Sequence, residues 1–351
     1  MKIIFKRTTP TYRNQLTTQQ VMLYLTATLV VVSLFSVGYY FTLGADYGIK
    51  ALLMIIASVV AAYLCEAGYF YLLKEKDIKK AVNNSFPYVT AILFALILPI
   101  GTPYYVVVFG SIFSILIGKL LFGGFGQNIF NPALIGRAFV MMSYGDKLTA
   151  VLPEKAVDGV ASATPTTIMS MGSWMGDSNI SLANLYLGFY KGSIGETFAV
   201  VIIIAGVFLA MKKVLDWRLP VFYIGTAFVI AFIAGMTHGL SPLHFALVHI
   251  GIGGLVFGGI FMLTDPVTSP VDPFGKILFA VGAAFFTMLL RFRSNMPEGV
   301  LYSILIMNML TPMIDKYTVK PTNKDESRKL VIVIAAMLVC SLLIALVWKG
   351  A

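Results

Sequence analysis

Charge is what this sequence has least of. Only 12% of its 351 residues are Asp, Glu, Lys or Arg, against about 25% in soluble globular chains, while 58% are hydrophobic. That balance excludes an ordinary soluble domain and points to a polytopic membrane protein, because lipid accepts long apolar runs and few charges. Carboxylates are the scarcer sign: 16 Asp and Glu against 26 Lys and Arg, a net charge of +10. The excess basic residues sit in short loops and termini beside apolar runs, where positive-inside bias places them, and no nucleic-acid surface is implied. Cysteine is nearly absent. Cys65 and Cys340 each lie inside an apolar run, and two isolated thiols cannot ligate an iron–sulfur cluster alone, which takes about four. They read as small buried hydrophobes. Of the three histidines, His244 and His249 are five residues apart and do not share a helix face. With His238 they make a poor haem or metal pair. The first apolar run, 21–43, is too long for a signal-peptide core and lacks a small-residue cleavage site, so it reads as a first span.

What the chain does have is apolar runs. At about 20 residues per span, the candidates are 21–43, 51–73, 86–98, 104–122, 132–143, 197–211, 219–236, 243–263, 277–290, 300–314 and 330–348. They predict an all-α protein with ten or eleven transmembrane helices. Runs 86–98 and 132–143 are short and broken by Pro or Gly. Such segments are tolerated at membrane depth only where they are buried in protein or line a cavity. Lys2, Lys6, Arg7 and Arg13 precede the first run. Lys74, Lys76, Lys79 and Lys80 follow the second, Lys212, Lys213 and Arg218 the sixth, and Lys316, Lys320, Lys324, Arg328 and Lys329 the tenth. With eleven spans all four clusters fall on one side, the cytoplasm. Arg291 and Arg293, after the ninth run, break the rule.

This order divides the chain into a cytoplasmic segment 1–20, a transmembrane half 21–143, an outer loop 144–196, a second half 197–314, and a cytoplasmic linker with a C-terminal helix, 315–351. The outer loop is net acidic, with Asp146, Glu154, Asp158, Asp177 and Glu196 against Lys147, Lys155 and Lys191. A faint internal repeat relates the halves. Phe122-Gly123-Gly124 precedes Asn131-Pro132, and Phe257-Gly258-Gly259 precedes Asp265-Pro266 at a similar interval. Weak symmetry of this kind is how transporter-like repeats show in sequence, although Gly is abundant here. Taken alone, the repeat and the interrupted helices suit a channel or secondary transporter of small polar solutes.

Three stretches have the makings of chemistry. In residues 123–133, Gly123, Gly124 and Gly126 permit close backbone approach. Asn128 adds a polar side chain, and Asn131 before Pro132 fits a helix cap with Pro in the first turn. A helix N-terminus facing into a bundle offers N–H groups to an anion or a polar ring edge; a tight re-entrant turn without ligand fits equally. In residues 262–273, Thr264, Asp265 and Asp272 follow an apolar run among three prolines. Asp265 and Thr264 suit a helix cap, or a polar floor under a cofactor or cation, with Lys276 and Arg137 as available partners. Arg137 otherwise snorkels to the interface, and Glu66 lies near a helix end. The third stretch is 158–165. Gly159, Ala161, Ser162 and Ala163 give little bulk ahead of Thr164, and Pro165 keeps Thr164 out of regular helix. The hydroxyl is thereby presented on an irregular segment, as an acceptor for a modifying enzyme must be.

Asp158-Gly159-Val160-Ala161-Ser162-Ala163-Thr164-Pro165 resembles the flavinylation motif of the NqrB/RnfD family, the membrane subunits of the Rnf complex and of the Na⁺-pumping NADH:quinone reductase. Residues 123–133 and 262–270 resemble that family's other signature segments, in the same order, so the likeness covers essentially the whole chain. Ala161 and Ser162 depart from the Ser or Thr and the Gly common there. The start of the first span near Val21, without a long N-terminal extension, favours the Rnf branch. The resemblance implies FMN joined through its phosphate to Thr164 by a flavin transferase, with Asp158, Gly159, Ser162 and Ala163 as motif residues. It also implies a noncovalent riboflavin in the bundle, which we place between 123–133 and 262–270, near Gly124, Asn128, Asn131, Arg137, Thr264 and Asp265. It further implies electron relay between ferredoxin and NAD coupled to Na⁺ or H⁺ export. The partners would be Rnf subunits A, B, C, E and G, in a cytoplasmic (inner) membrane with Thr164 outside. The implied fold is two inverted five-helix repeats similar to urea transporters, plus at most one further helix.

Overall fold

The computed structural model describes residues 16–148, 181–188, 190, 192–196, 198–293 and 299–318, and, near the C-terminus, 332, 335–337 and 339–344. Among these residues the secondary structure is helical apart from one isolated antiparallel bridge, Pro99 to Ser193. The chain is an all-α, multi-pass membrane protein. Among the described residues, five helices are long and apolar enough to cross a membrane, or six if one bent pair counts as a single span.

Helix α1 (Thr18–Leu43) opens on a capping box: the Thr17 hydroxyl accepts the Gln20 N–H, and the Gln20 side chain accepts the Thr17 N–H. Two donors that a helix start leaves orphaned are thus satisfied. Gly44, at φ +153°, ends it, and α2 (Ala45–Leu72) begins at the next residue. Next comes α3 (Ile78–Ser85), a short polar helix capped by Asp77, whose side chain accepts the Lys80 N–H at 3.0 Å. Phe86 then takes a left-handed conformation and Pro87 starts α4 (Pro87–Leu96). The first half closes with α5 (Tyr104–Leu116) and α6 (Pro132–Tyr144).

After the short α7 (Leu182–Leu187), the second half comprises α8 (Ala199–Met211), α9 (Arg218–Thr237), α10 (Pro242–Gly251), α11 (Leu255–Met262), α12 (Pro273–Arg293) and α13 (Gly299–Thr318). Its core is α9 packed on α10 and α12, and α12 on α13; in the first half α2 packs on α1, α4 and α5, and α5 on α6. The halves meet where α1 touches α8 and where α6 touches α13.

Run 243–263, expected as one span, is two helices bent by 66°. The cause is Gly253 and Gly254, both left-handed at φ +55° and +45°, a conformation an apolar count does not register. The two Gly-Gly pairs of the faint repeat also do different work. Gly123 and Gly124 turn a loop at positive φ. Gly258 and Gly259 lie inside α11, where added Cβ atoms would meet Val300 and Tyr223 at 2.5 and 2.7 Å. A clearer likeness joins α4 and α10. Each is ten residues long, starts on Pro and stops inside the protein.

Candidate functional site

The site lies between the first-half loop before α6 and the turn after α11. Asn131 organises it. As the cap of α6, its Oδ1 accepts the Ala133 N–H at 3.1 Å, with Pro132 in the first turn. Its Nδ2 donates to the Met262 carbonyl at 3.3 Å, and its N–H donates to Asn308 Oδ1 at 3.2 Å. One residue therefore ties the first half to α11 and α13. Across from it, the Asp265 carboxylate accepts the Val267 N–H at 3.2 Å and the Thr268 hydroxyl at 3.3 Å. Asn128 donates from its amide to the Phe130 carbonyl. Thr264 turns its hydroxyl back to the Ile260 carbonyl.

Asn128, Asn131, Thr264 and Asp265 line one cavity of ≈ 100 Å³. Met22 and Leu25 of α1, with Phe261 of α11, form its apolar side. A largely hydrocarbon lining with a few polar groups suits a mostly apolar ligand with few hydrogen-bonding atoms. The volume is narrow beside the roughly 300–1,000 Å³ of drug-sized ligand sites, so a tricyclic ring seats fully only if a wall moves. Gly124 and Arg137 are not on this cavity. Gly124, at φ +96°, makes the turn instead, its N–H donating to the Lys119 carbonyl. Arg137 does not snorkel: it is 2% exposed, within the core side of α6. Nor does Lys276 serve Asp265, since it pairs with Asp216 at 3.0 Å. Asp158, Gly159, Ser162, Ala163 and Thr164 lie outside the described residues.

Sequence reasoning missed Lys119, which also lines the cavity. Its ammonium sits 2.6 Å from Glu66 Oε1 and donates to the Ser85 carbonyl, and the Phe125 ring centroid is 5.7 Å away. Glu66 lies six residues before the end of α2, as expected near a helix end, but it is fully buried. The available signals were a lysine inside run 104–122 and a carboxylate inside run 51–73, but nothing in the sequence joins positions 53 apart. Arg291 was the other omission. Its guanidinium donates to the carbonyls of His249, Ile252 and Gly253 at the bend between α10 and α11. Arg291 is thus buried within α12 rather than placed in a loop, where the positive-inside pattern is counted. The His249 ring packs on Phe245 and Phe292, with centroids 4.3 and 5.2 Å away.

Comparison with known proteins gives a match over residues 6–324 to the family described as NQR2, RnfD, RnfE family. The chain is 38% identical over 284 residues to the D component of the proton-translocating ferredoxin:NAD(+) oxidoreductase complex of Clostridium ljungdahlii, covering 78% of this chain and 84% of that protein. It is 36% identical over 277 residues to the D component of the Na(+)-translocating ferredoxin:NAD(+) oxidoreductase complex of Acetobacterium woodii, covering 78% and 83%. To the B component of the Na(+)-translocating NADH-quinone reductase of Azotobacter vinelandii it is 33% identical over 272 residues, covering 76% and 67%.

Proposed function

Because the chain belongs to the NQR2, RnfD, RnfE family, we propose that it is a membrane electron-transfer subunit of an Rnf-type complex, relaying electrons between ferredoxin and NAD coupled to translocation of Na⁺ or H⁺. The family match over most of the chain carries this reading, and the relatives named as D components of ferredoxin:NAD(+) oxidoreductase complexes support the Rnf branch. Chemistry on NAD and ferredoxin belongs to the other subunits, A, B, C, E and G. The fold we assign is ten or eleven transmembrane helices in two inverted, urea-transporter-like repeats; the matched pair α4 and α10 supports it.

The covalent site is Thr164, esterified to FMN by a flavin transferase that reads Asp158, Gly159, Ser162 and Ala163, on the extracytoplasmic side. The acidic loop opposite the basic clusters supports that side. Riboflavin occupies the cavity between the halves. A bound flavin supplies storage for one or two electrons. The protein holds its polar edge with Asn128, Asn131, Thr264 and Asp265 and excludes water with Met22, Leu25 and Phe261.

Two measurements test this. Denatured protein co-expressed with the transferase is expected to show flavin fluorescence in a gel, and Thr164→Val to show none. A Thr164→Val band as bright as wild type removes Thr164 from the assignment. Acid-extracted, noncovalent flavin from the purified complex is expected to fall at least several-fold in Asn128→Leu, while the Thr164-linked signal persists. Equal noncovalent flavin in both proteins places riboflavin elsewhere.

A further inference from the structure

Two helices end inside the protein, α4 at Leu96 and α10 at Gly251, and the chain beyond each is buried: Leu98, Ile100 and Ile252 are fully inaccessible. A helix C-terminus leaves its last carbonyls without intrahelical donors and carries partial negative charge. Buried in a membrane protein, those carbonyls need protein donors. Each end receives a cation from a neighbouring long helix. Lys50 of α2 reaches the Gly101 carbonyl at 3.4 Å, beyond α4, and Arg291 of α12 caps the bend beyond α10.

Further donors come from a single stretch, residues 192–196 with Tyr186 and Tyr190. On the α4 side, Gly195 N–H donates to the Leu96 carbonyl at 2.6 Å and Ile194 N–H to the Leu98 carbonyl at 3.0 Å, beside the Pro99–Ser193 bridge. On the α10 side, Tyr186 donates to the Leu247 carbonyl at 2.9 Å. The Tyr190 hydroxyl lies 3.4 Å from the Gly251 carbonyl and 3.1 Å from that of Glu196, sharing its hydrogen between α10 and the stretch itself. Tyr40 of α1 anchors the stretch through the Gly192 carbonyl at 3.2 Å. Glycines on both sides permit the approach. A Cβ on Gly195 would come 2.6 Å from Leu96 Cβ, and one on Gly251 would come 2.7 Å from Leu185 Cδ2 of α7.

We propose that this stretch is a strap that couples the two interrupted helices, so that the position of the α4 end sets that of the α10 end and the reverse. Separate loops would have satisfied each end independently; here the backbone that serves the α4 end is tied to the α10 end by the Tyr190 hydroxyl, shared between the Glu196 and Gly251 carbonyls. Its residues are positioning residues. The consequence for ion movement rests on the function proposed above, but the coupling is a property of the fold alone.

Hydrogen–deuterium exchange of the full chain in its purified complex tests the coupling. Gly195→Ala disturbs only the α4 contact, yet is expected to speed exchange of amides 251–255 at the far end about 2- to 10-fold, the factor that loss of one net hydrogen bond allows. Gly251→Ala is expected to do the same to the amides of Ile97, Leu98 and Ile100 to Thr102. Tyr190→Phe removes one hydroxyl and little volume, so it covers the case in which an alanine variant fails to assemble, and is expected to speed exchange at both ends. Changes confined in every assembled variant to the altered end overturn the proposal. Ions moved per electron by the reconstituted wild-type complex are a separate reading. A complex that passes electrons and moves no ions refutes the functional assignment while leaving the exchange result standing.

Discussion

Replacing Lys119 with Met is expected to destabilise the protein by roughly 3–5 kcal/mol, the cost of stranding one partner of a buried ion pair. Lys119 is 3% exposed and Glu66 is 0% exposed, with 2.6 Å between ammonium and carboxylate. Without the lysine, the buried carboxylate is left without its counter-charge, at a high desolvation cost. Glu66→Gln is expected to err in the same direction, leaving the ammonium without its counter-charge and dependent on the Ser85 carbonyl. The double variant, Glu66→Gln with Lys119→Met, is expected to recover much of the loss, since a buried pair replaced as a unit is often close to neutral. Unfolding of the four proteins in one detergent, followed by tryptophan fluorescence, gives the coupling energy. Single variants whose losses simply add would show that the two charges do not act as a pair.

Arg291→Met is the second large effect. Two buried carbonyls at the α10–α11 bend, those of His249 and Ile252, lose the donor Arg291 supplies, while that of Gly253 keeps the Leu255 N–H; each buried polar group left unmade costs about 1–3 kcal/mol. A loss of about 2 kcal/mol or more follows even at the lower bound. Arg291→Lys is expected to recover only part of it, because a point charge on a flexible stem cannot hold three acceptors in the fixed fork a guanidinium provides. The readout is the fraction of purified protein that stays folded after a heat step, together with protease cutting near Gly253. Wild-type resistance in the methionine variant would mean that water or another donor satisfies the bend.

In the sequence Arg291 stands only as a topological exception, and Glu66 as a residue near a helix end, which it is, six residues before the end of α2. The partners of both stay hidden for one reason. The sequence reports how many charges an apolar run contains, while their energetic meaning depends on which acceptor or counter-charge the fold brings within about 3 Å. The partners of Arg291 are His249, Ile252 and Gly253, and that of Glu66 is Lys119. Asn131, in contrast, was legible as a cap because its acceptor role is local: the Ala133 N–H it satisfies is two residues away. Its second role, holding the Met262 carbonyl, was not.

The sequence by itself determined the all-α, membrane-embedded class through the scarcity of charge and the length of its apolar runs. It also determined the capped start of α6, through Asn131-Pro132, and the family, through three motifs in order. These properties reside in composition or in neighbours along the chain. Only the tertiary structure decided that run 243–263 is bent at Gly253 and Gly254, and that Asn128 and Asp265 line one cavity between the halves. It alone joined Lys119 to Glu66 and placed Arg291 and the stretch 192–196 on the ends of interrupted helices. The physical reason is that a buried carbonyl or charge must find a partner wherever the packed bundle supplies one, at a distance in sequence that no local pattern encodes.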